Sequence, residues 1–412
     1  MAQRDYDTLI LITDAFPYGA VTERTFIEPE LNLLADSFRR VFIIPTCEKG
    51  PVPADLELPA NVTVSRCWLD SPGCQHRWKA LKYLFSPPLY KYATGGPRVS
   101  GLKMSARAML MASSLKKFIR DNRLDLSRTL FYCFWFDLGA LALVHINRTT
   151  PLRHLVCAHG HDIYTRRAFA FRRLSVSSAS KIYAASPHGR DALRSDFPEA
   201  AEKISVRTLG SVAPSAPAAG HHSAADRVIT FLSVARVVEG KRVDLCLDMM
   251  RALAVARPQT RIEWIHVGDG PLLADLSSRT THDIPSNLRI ELLGELSNAD
   301  VHRLYQTRKI DWVMLLSVSE GGLPISLVEA LSYGKPIVAS DYGGLEEVIS
   351  DDCGLIMPLD LTREEFVRSL LPYIESDFRY QSMAEAASLR WEEKFNAAAT
   401  RRAFVNEILS IR

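Results

Sequence analysis

Residues 311–347 decide the fold and read DWVMLLSVSEGGLPISLVEALSYGKPIVASDYGGLEE. The apolar run 311–318 has the length of a strand, 319–324 is a glycine-bearing turn, and 325–333 has the apolar spacing of a buried helix face. Residues 334–339 then supply a helix stop, Gly-Lys-Pro, and a second apolar run. The stretch therefore predicts a βαβ unit of a parallel sheet, which binds ligands at the carboxyl ends of its strands.

The turn at 319–324 has the features of a diphosphate site. Its two glycines let a ligand approach the backbone, and the helix start after them offers N–H groups and a partial positive charge. Glu320 in the turn and Glu329 in the helix would flank the anion and accept hydrogen bonds from ribose and sugar hydroxyls. Two solvated glutamates are the alternative interpretation. The predicted donor-binding residues of this stretch are Gly321, Gly322, Leu323, Pro324 and Glu329.

The same stretch resembles the signature of the retaining GT-B glycosyltransferases of family GT4. In that pattern seven residues separate two glutamates, and a helix stop and a Gly-Gly-x-x-Glu turn follow. One feature departs here, because eight residues lie between Glu320 and Glu329, so that a bulge at Gly321-Gly322 has to absorb the excess. The resemblance implies an α/β GT-B fold, in which two Rossmann-like doubly wound domains face a cleft and a C-terminal helix crosses back to the first domain.

The chain length of 412 residues suits two domains. We expect an N-terminal Rossmann-like acceptor-side domain at 1–210 and a C-terminal Rossmann-like nucleotide-sugar domain at 227–390. Residues 211–226 are rich in Pro, Ala, Gly and Ser and read as a linker. Residues 391–412 are the predicted closing helix, packing on the first domain.

Two cations follow the first predicted strand of the second domain. Arg236 and Lys241 straddle a βα turn at the strand's carboxyl end, where they are suited to neutralise a diphosphate. GT4 proteins place an Arg and a Lys at this spacing for that purpose, so the resemblance assigns both to the leaving diphosphate. Ordinary surface charge is the alternative.

A histidine follows a buried strand of the first domain, in the run His159-Gly160-His161-Asp162. A histidine at a strand's carboxyl end can donate a hydrogen bond to a sugar hydroxyl or a departing oxygen. The run resembles the cleft loop of the same family, in which His159 would contact the sugar. A loop histidine that holds local backbone is the alternative. The run is not a familiar metal ligand set, so we expect no metal.

The loop after the first strand, FPYG at 16–19, also resembles the family's amino-terminal loop that faces the cleft. On that resemblance Gly19 is a further donor-binding residue. No G-x-G-x-x-G follows this strand, which argues against a nicotinamide dehydrogenase.

Composition indicates a protein of the cytoplasm. Neither a signal peptide at the start nor a run of about 18 apolar residues is recognisable in the sequence. The net charge of +3 is too small to indicate nucleic acid. The cysteines are scattered singly, without zinc or redox spacing, which favours reduced thiols: Cys47, Cys67, Cys74, Cys133, Cys157, Cys246 and Cys353.

One basic segment indicates a membrane partner. Between Ser71 and Arg128 basic residues greatly outnumber acidic ones and alternate with Trp and Tyr, a mixture that suits an anionic lipid surface. An ordinary solvated face is the alternative. We expect a peripheral position at the inner face of the plasma membrane.

The resemblance to family GT4 implies a retaining, metal-independent hexosyltransferase with a UDP- or GDP-sugar donor and no further cofactor. The acceptor would be a glycan or lipid-linked oligosaccharide of surface polysaccharide biosynthesis. Two alternatives stay open: a nucleotide-sugar epimerase, and a non-catalytic GT-B protein that binds nucleotide sugars. The residues assigned to the reaction are His159, Arg236, Lys241 and Glu320.

Overall fold

The computed structural model describes residues 6–19, 21–71, 74, 99–164, 169–220, 228–318 and 323–411. The chain forms two compact units. The first unit holds the residues up to Arg207 together with Arg401–Arg412, and the second holds Thr208–Thr400.

The first unit is built on a seven-stranded sheet in the order β3-β2-β1-β4-β5-β6-β7. Each pairing is parallel. All six residues of β1 are buried, as expected for a parallel strand with helices on both faces. The strands are β1 Thr8–Thr13, β2 Arg40–Pro45, β3 Val62–Val64, β4 Thr129–Cys133, β5 Arg153–Ala158, β6 Lys181–Ala184 and β7 Ile204–Val206. The described helices of this unit are Val21–Ser37, Val99–Asp121, Leu138–Asn147, Gly160–Tyr164, Phe169–Ser178 and Pro187–Asp196, with 3₁₀ turns at Leu126–Arg128 and Pro198–Lys203.

The second unit is built on a six-stranded parallel sheet in the order β10-β9-β8-β11-β12-β13. Its strands are β8 Val228–Val234, β9 Arg261–Val267, β10 Leu288–Leu292, β11 Trp312–Leu315, β12 Ile337–Ser340 and β13 Gly354–Met357. Its described helices are Val243–Ala256, Leu273–Arg279, Asn298–Thr307, Ile325–Ser332, Arg363–Ile374 and Asp377–Arg390, with 3₁₀ turns at Glu239–Lys241 and Leu345–Glu347 and a π turn at Trp391–Phe395. The helix Ala397–Ile408 follows and ends in the first unit.

Strand order places a switch point in each sheet. In the first sheet the chain winds outward from β1 to β3 and then restarts at β4, on the other side of β1. In the second sheet it winds outward from β8 to β10 and restarts at β11, beside β8. Ligands of such sheets bind where the loops after two adjacent strands diverge. A ligand is therefore expected at the loops after β1 and β4 in the first sheet and at the loops after β8 and β11 in the second.

The predicted linker is packed against the second unit as far as Gly220. Trp391 Nε1 donates to Ser211 Oγ at 2.8 Å, and Lys335 Nζ donates to the Gly220 carbonyl at 3.1 Å. Trp391 and Phe395 belong to the apolar core of this unit, which keeps residues 391–400 out of the first unit. The return to the first unit begins at Arg401, ten residues later than the sequence indicates.

The last helix packs in the first unit through its final turns. Phe404, Val405 and Ile408 are buried in one core cluster with β1 residues. Arg207, the last residue before the second unit begins, lies with its guanidinium 4.2 Å from the Phe404 ring centroid and forms a buried ion pair with Glu30. The chain leaves the first unit after Arg207 and returns to it at Arg401, and the contact between Arg207 and Phe404 joins these two places.

Several boundaries differ from the sequence expectation. The apolar run at 129–137 has the length of one long strand, but β4 ends at Cys133 and Asp137 caps the next helix by accepting a hydrogen bond from Gly139 N. Residues 160–164 form a short helix instead of an open loop. The sequence analysis did not identify β3 or β13, which are three and four residues long.

The basic segment is only partly described. Residues 72–73 and 75–98, which carry most of its aromatic residues, lie outside the described part of the chain. The helix Val99–Asp121 buries an apolar face through Ala108, Met111 and Leu115, whereas Lys116 and Lys117 are exposed. Among the described helices, none has the length and apolar character needed to span a membrane.

Candidate functional site

The loop after β8 carries Arg236 and Lys241. Arg236 is exposed, and Lys241 closes a 3₁₀ turn, Glu239–Lys241, in which its N–H donates to the Val238 carbonyl at 3.0 Å. The next residue, Arg242, adopts a left-handed conformation with φ of 48° and starts the helix Val243–Ala256. Both predicted cations therefore lie at the carboxyl end of a central strand, as the sequence indicates.

A glycine turn after β9 fixes the backbone around Arg236. Gly268 has a φ of +148°, and a Cβ there would lie 1.9 Å from the Ala235 carbonyl oxygen. A Cβ on Gly270 would lie 2.3 Å from the Val237 carbonyl oxygen, so both positions exclude a side chain. Val237 N also donates to Asp269 O at 3.0 Å.

The loop after β11 meets the loop after β8. Val318 N donates to the Gly240 carbonyl at 2.9 Å, which joins the segment before Glu320 to the turn that carries Lys241. Glu320, Gly321 and Gly322 lie outside the described residues, so their assignment stays a prediction. The structure therefore shows two neighbouring loops at one switch point, with the predicted cations on one and the predicted acid turn continuing from the other.

The helix after this loop begins at Ile325. Pro324 is its N-cap and has an extended backbone. Leu323 packs against the apolar core, and Pro324 is buried. Glu329 is the fifth residue of the helix, hence about one turn from its start.

The Glu329 carboxylate is 6% exposed and receives a hydrogen bond from Asn298, with Nδ2 2.6 Å from Oε1. Burial raises the pKa of Glu329 to about 7, and the Asn298 hydrogen bond opposes part of that rise. His302 Nε2 lies 3.9 Å from the same oxygen, but burial lowers the pKa of His302, which favours a neutral imidazole. A buried carboxylate with one donor has oxygen lone pairs left to accept further hydrogen bonds.

His159 follows β5 in the first unit and is held by aromatic rings. Its ring centroid lies 4.8 Å from that of Phe134 and 4.6 Å from that of Trp135. Asp162 Oδ2 accepts a hydrogen bond from His159 N at 3.0 Å and lies 3.7 Å from Nδ1. Because its side chain is only 12% exposed, the orientation of this ring is set by the packing around it.

Gly19 ends the turn after β1. Its φ is +57°, and a Cβ there would lie 2.2 Å from the Lys49 carbonyl oxygen. Packing against the β2 loop is therefore sufficient reason for glycine at this position. Its predicted contact with the donor stays a prediction.

Among the described residues, no group of three His, Cys, Asp or Glu side chains is arranged to hold a metal ion. In the second unit, Arg236 and Lys241 lie in the loop after β8, and Glu329 lies on the helix after the adjacent strand β11. His159 and Gly19 occupy the corresponding end of the first sheet, after β5 and β1. Sequence reasoning missed the contacts of Asn298 and Trp135, because they join residues far apart in the chain.

The second unit matches a known family. Residues 220–390 match the family model described as Glycosyl transferases group 1. A similar protein is the amylovoran biosynthesis glycosyltransferase AmsK of Erwinia amylovora, 24% identical over 199 residues, which are 48% of this chain and 48% of that protein. Another is the putative glycosyltransferase EpsF of Bacillus subtilis (strain 168), 29% identical over 248 residues, 55% of this chain and 60% of that protein. The chain thus spans about half the length of these relatives.

Solved structures extend the likeness over both units. The lipopolysaccharide outer core galactosyltransferase WaaB superposes with a TM-score of 0.68 at 16% identity, covering 98% of this chain and 99% of that one. Anabaena Alr3699/HepE, solved with UDP and glucose, gives 0.62 at 19% identity, covering 98% and 100%. At this identity the likeness shows the fold, and the predicted α/β GT-B fold is confirmed. Residues 220–390, which form most of the second unit, are thus similar to the group 1 glycosyl transferases.

Proposed function

We propose that this chain is a retaining, metal-independent glycosyltransferase that moves a hexose from a UDP- or GDP-sugar to a glycan or lipid-linked oligosaccharide. The hydrogen bond from Val318 N to Gly240 O, 2.9 Å long, carries this proposal. It joins the loop with the predicted cations to the segment entering the acid turn, at the switch point where a doubly wound sheet binds its ligand. The family match of residues 220–390 supports the same assignment.

Arg236 and Lys241 would act on the leaving group. As the bond between the anomeric carbon and the diphosphate oxygen breaks, negative charge builds on the diphosphate and these two cations meet it. The acceptor hydroxyl supplies the oxygen of the new glycosidic bond and gives its proton to the departing diphosphate. Positioning of donor and acceptor replaces covalent catalysis, so that no protein nucleophile is assigned.

Glu329 would hold the ribose. Its buried carboxylate keeps capacity to accept hydrogen bonds beyond the one from Asn298, and ribose hydroxyls are donors. Glu320 and His159 would orient the transferred sugar, an assignment that rests on the family resemblance. HepE, a neighbour in fold, was solved with UDP and glucose, which supports a nucleotide sugar as the class of donor.

The acceptor and its location are part of the proposal. AmsK is named for amylovoran biosynthesis, which supports a polysaccharide precursor as acceptor. The basic, aromatic composition of 71–128 supports a cytoplasmic protein bound to the anionic inner face of the plasma membrane. Co-sedimentation with anionic liposomes tests the location. Binding that salt weakens supports it, and absence of binding with or without salt contradicts it.

A panel of UDP- and GDP-sugars tests the activity. The expected result is thermal stabilisation by one donor, slow hydrolysis without acceptor and transfer with a lipid-linked acceptor, with retained anomeric configuration and no loss in EDTA. A product epimeric to the donor, formed without acceptor, would establish the epimerase alternative. Stabilisation with neither hydrolysis nor transfer would establish a non-catalytic binding protein.

A further inference from the structure

The loop after β1 folds around a carboxylate of the chain itself. The N–H groups of Asp14, Ala15 and Phe16 all donate to Glu23, at 2.7, 2.8 and 2.7 Å. Consecutive N–H groups that converge in this way form a nest for an anion. Glu23 is 3% exposed and fills that nest from the following helix.

A fourth donor reaches Glu23 from the loop after β4. Trp135 Nε1 donates to Glu23 Oε1 at 2.8 Å, so that each carboxylate oxygen accepts two hydrogen bonds. Hydrogen bonds to an ionised carboxylate are short and strong, and four of them fix its position. The indole is therefore tied to the β1 loop across 112 residues of sequence.

The same indole forms one wall around His159. Its ring centroid lies 4.6 Å from the imidazole centroid, with an interplanar angle of 58°. Phe134 lies against the ring at 4.8 Å and 33°, and Phe134 N donates to the Ile12 carbonyl, which anchors that residue to β1. On the backbone side, Asp162 accepts from His159 N. The Arg207 guanidinium lies 5.8 Å from the Phe134 ring centroid, whereas the Trp135 wall is held by a direct hydrogen bond to the Glu23 carboxylate.

We propose that Glu23 and Trp135 are positioning residues for His159: Glu23 orients the indole, and the indole fixes the angle at which the imidazole faces the sugar. This inference rests on the proposed function, because it takes His159 to hydrogen-bond the transferred sugar. A carboxylate that only holds the β1 loop would be needed for folding but would have no specific link to His159.

Two variants separate the link from the packing. Trp135→Phe keeps an aromatic ring beside His159 and removes the N–H that binds Glu23. Glu23→Gln keeps the size of the side chain, but its amide nitrogen cannot accept the hydrogen bonds that a carboxylate oxygen accepts. Trp68→Phe is the matched control in the same unit, because the fully buried Trp68 donates through Nε1 to the Thr46 carbonyl at 3.0 Å.

The first measurement needs no activity. In histidine-labelled protein, the ring resonance of His159 is assigned by its absence from His159→Gln. We expect Glu23→Gln to shift or broaden that resonance and Trp68→Phe to leave it in place. An unchanged His159 resonance in folded Glu23→Gln would overturn the inference, whatever reaction the protein catalyses. If Glu23→Gln does not fold, the kinetic cycle below decides through Trp135→Phe.

The second measurement is a double-mutant cycle on turnover. We expect Trp135→Phe to lower kcat about tenfold in the native background, with little change in KM, and to have no effect in the His159→Ala background. Trp68→Phe should change kcat by the same factor in both backgrounds. An equal loss from Trp135→Phe in both backgrounds would overturn the inference. Failure of the proposed function is distinguishable, because the native protein would then transfer no sugar while the resonance test stays readable.

Discussion

The side-chain amide of Asn298 donates a hydrogen bond to the carboxylate of Glu329, with 2.6 Å between Nδ2 and Oε1. The two residues begin one helix and lie within another, Asn298–Thr307 and Ile325–Ser332. This contact gives a buried acid a defined orientation, and burial holds the pKa of that acid at about 7. The protonation state of Glu329 therefore changes in the range in which binding is measured.

Donor binding should strengthen with pH. Ribose hydroxyls bind the ionised carboxylate, and with a pKa of about 7 roughly a tenth of Glu329 is ionised at pH 6 and nine tenths at pH 8. We expect the Kd of a nucleotide sugar to fall about tenfold between these values, with proton release on binding below pH 7. Calorimetry in buffers of different ionisation enthalpy measures both.

The titratable groups around Glu329 do not account for the expected pH dependence of donor binding. Burial lowers the pKa of His302 and raises the pKa of Tyr305 and Tyr333, which moves the titration of all three away from pH 7. Glu329→Gln should flatten the pH dependence of donor binding. A pH dependence that survives in this variant would show that another group is responsible.

Asn298→Ala should move the midpoint of that pH profile upward by about one unit. The amide hydrogen bond stabilises the charged form of Glu329, and its loss makes ionisation harder. The control is Ser297→Ala, which removes the cap of the same helix and should cost about 1 kcal/mol of unfolding free energy. The midpoint should stay in place in that control. Equal midpoints in the two variants would contradict the role of Asn298.

Lys241→Ala should lower kcat about 100-fold while the protein remains folded. The lysine side chain is assigned to the charge that builds on the departing diphosphate. Lys394→Ala is the control, since Lys394 is exposed in the same unit, on the π turn Trp391–Phe395. Kinetics with purified donor and thermal unfolding of both variants make the comparison. Turnover of the Lys241→Ala variant at the native rate would contradict the assignment of Lys241 to the departing diphosphate.

Gly268→Ala should destabilise the second unit much more than Gly294→Ala. Both glycines have positive φ, but a Cβ on Gly268 would meet the Ala235 carbonyl oxygen at 1.9 Å, whereas nothing lies within 4 Å of one on Gly294. Urea unfolding should show a loss of about 3 kcal/mol or more for the first variant and about 1 kcal/mol for the second. Similar losses in the two variants would mean that the backbone at Ala235, next to Arg236, can move away from a side chain at position 268.

Local signals explain what the sequence could predict. The apolar run before Ser319 and the Gly-Lys-Pro stop after Ser332 are read within one element, and they gave β11, its helix and β12 in the right order. Arg236 and Lys241 follow because they are adjacent to such a strand. By contrast, the contacts of Glu23 with Trp135 and of Asn298 with Glu329 join side chains 112 and 31 residues apart. Those contacts depend on how strands and helices pack, which no local pattern encodes.

The boundary near the chain end shows the same limit. Residues 391–412 have continuous helical character in the sequence, but the structure divides them at Asn396, whose extended backbone separates the π turn Trp391–Phe395 from the last helix. Trp391 then stays with the second unit through its hydrogen bond to Ser211. Amphipathic spacing predicts which face is buried, and does not tell which core receives it.

Calorimetric titration of UDP and GDP into the native protein, Arg236→Ala and Lys241→Ala tests most directly whether a nucleoside diphosphate binds at the switch point between β8 and β11. The account predicts that one of the two nucleotides binds the native protein and that each substitution weakens its binding at least about tenfold. Binding of neither nucleotide, or equal binding by the native protein and both variants, would contradict it.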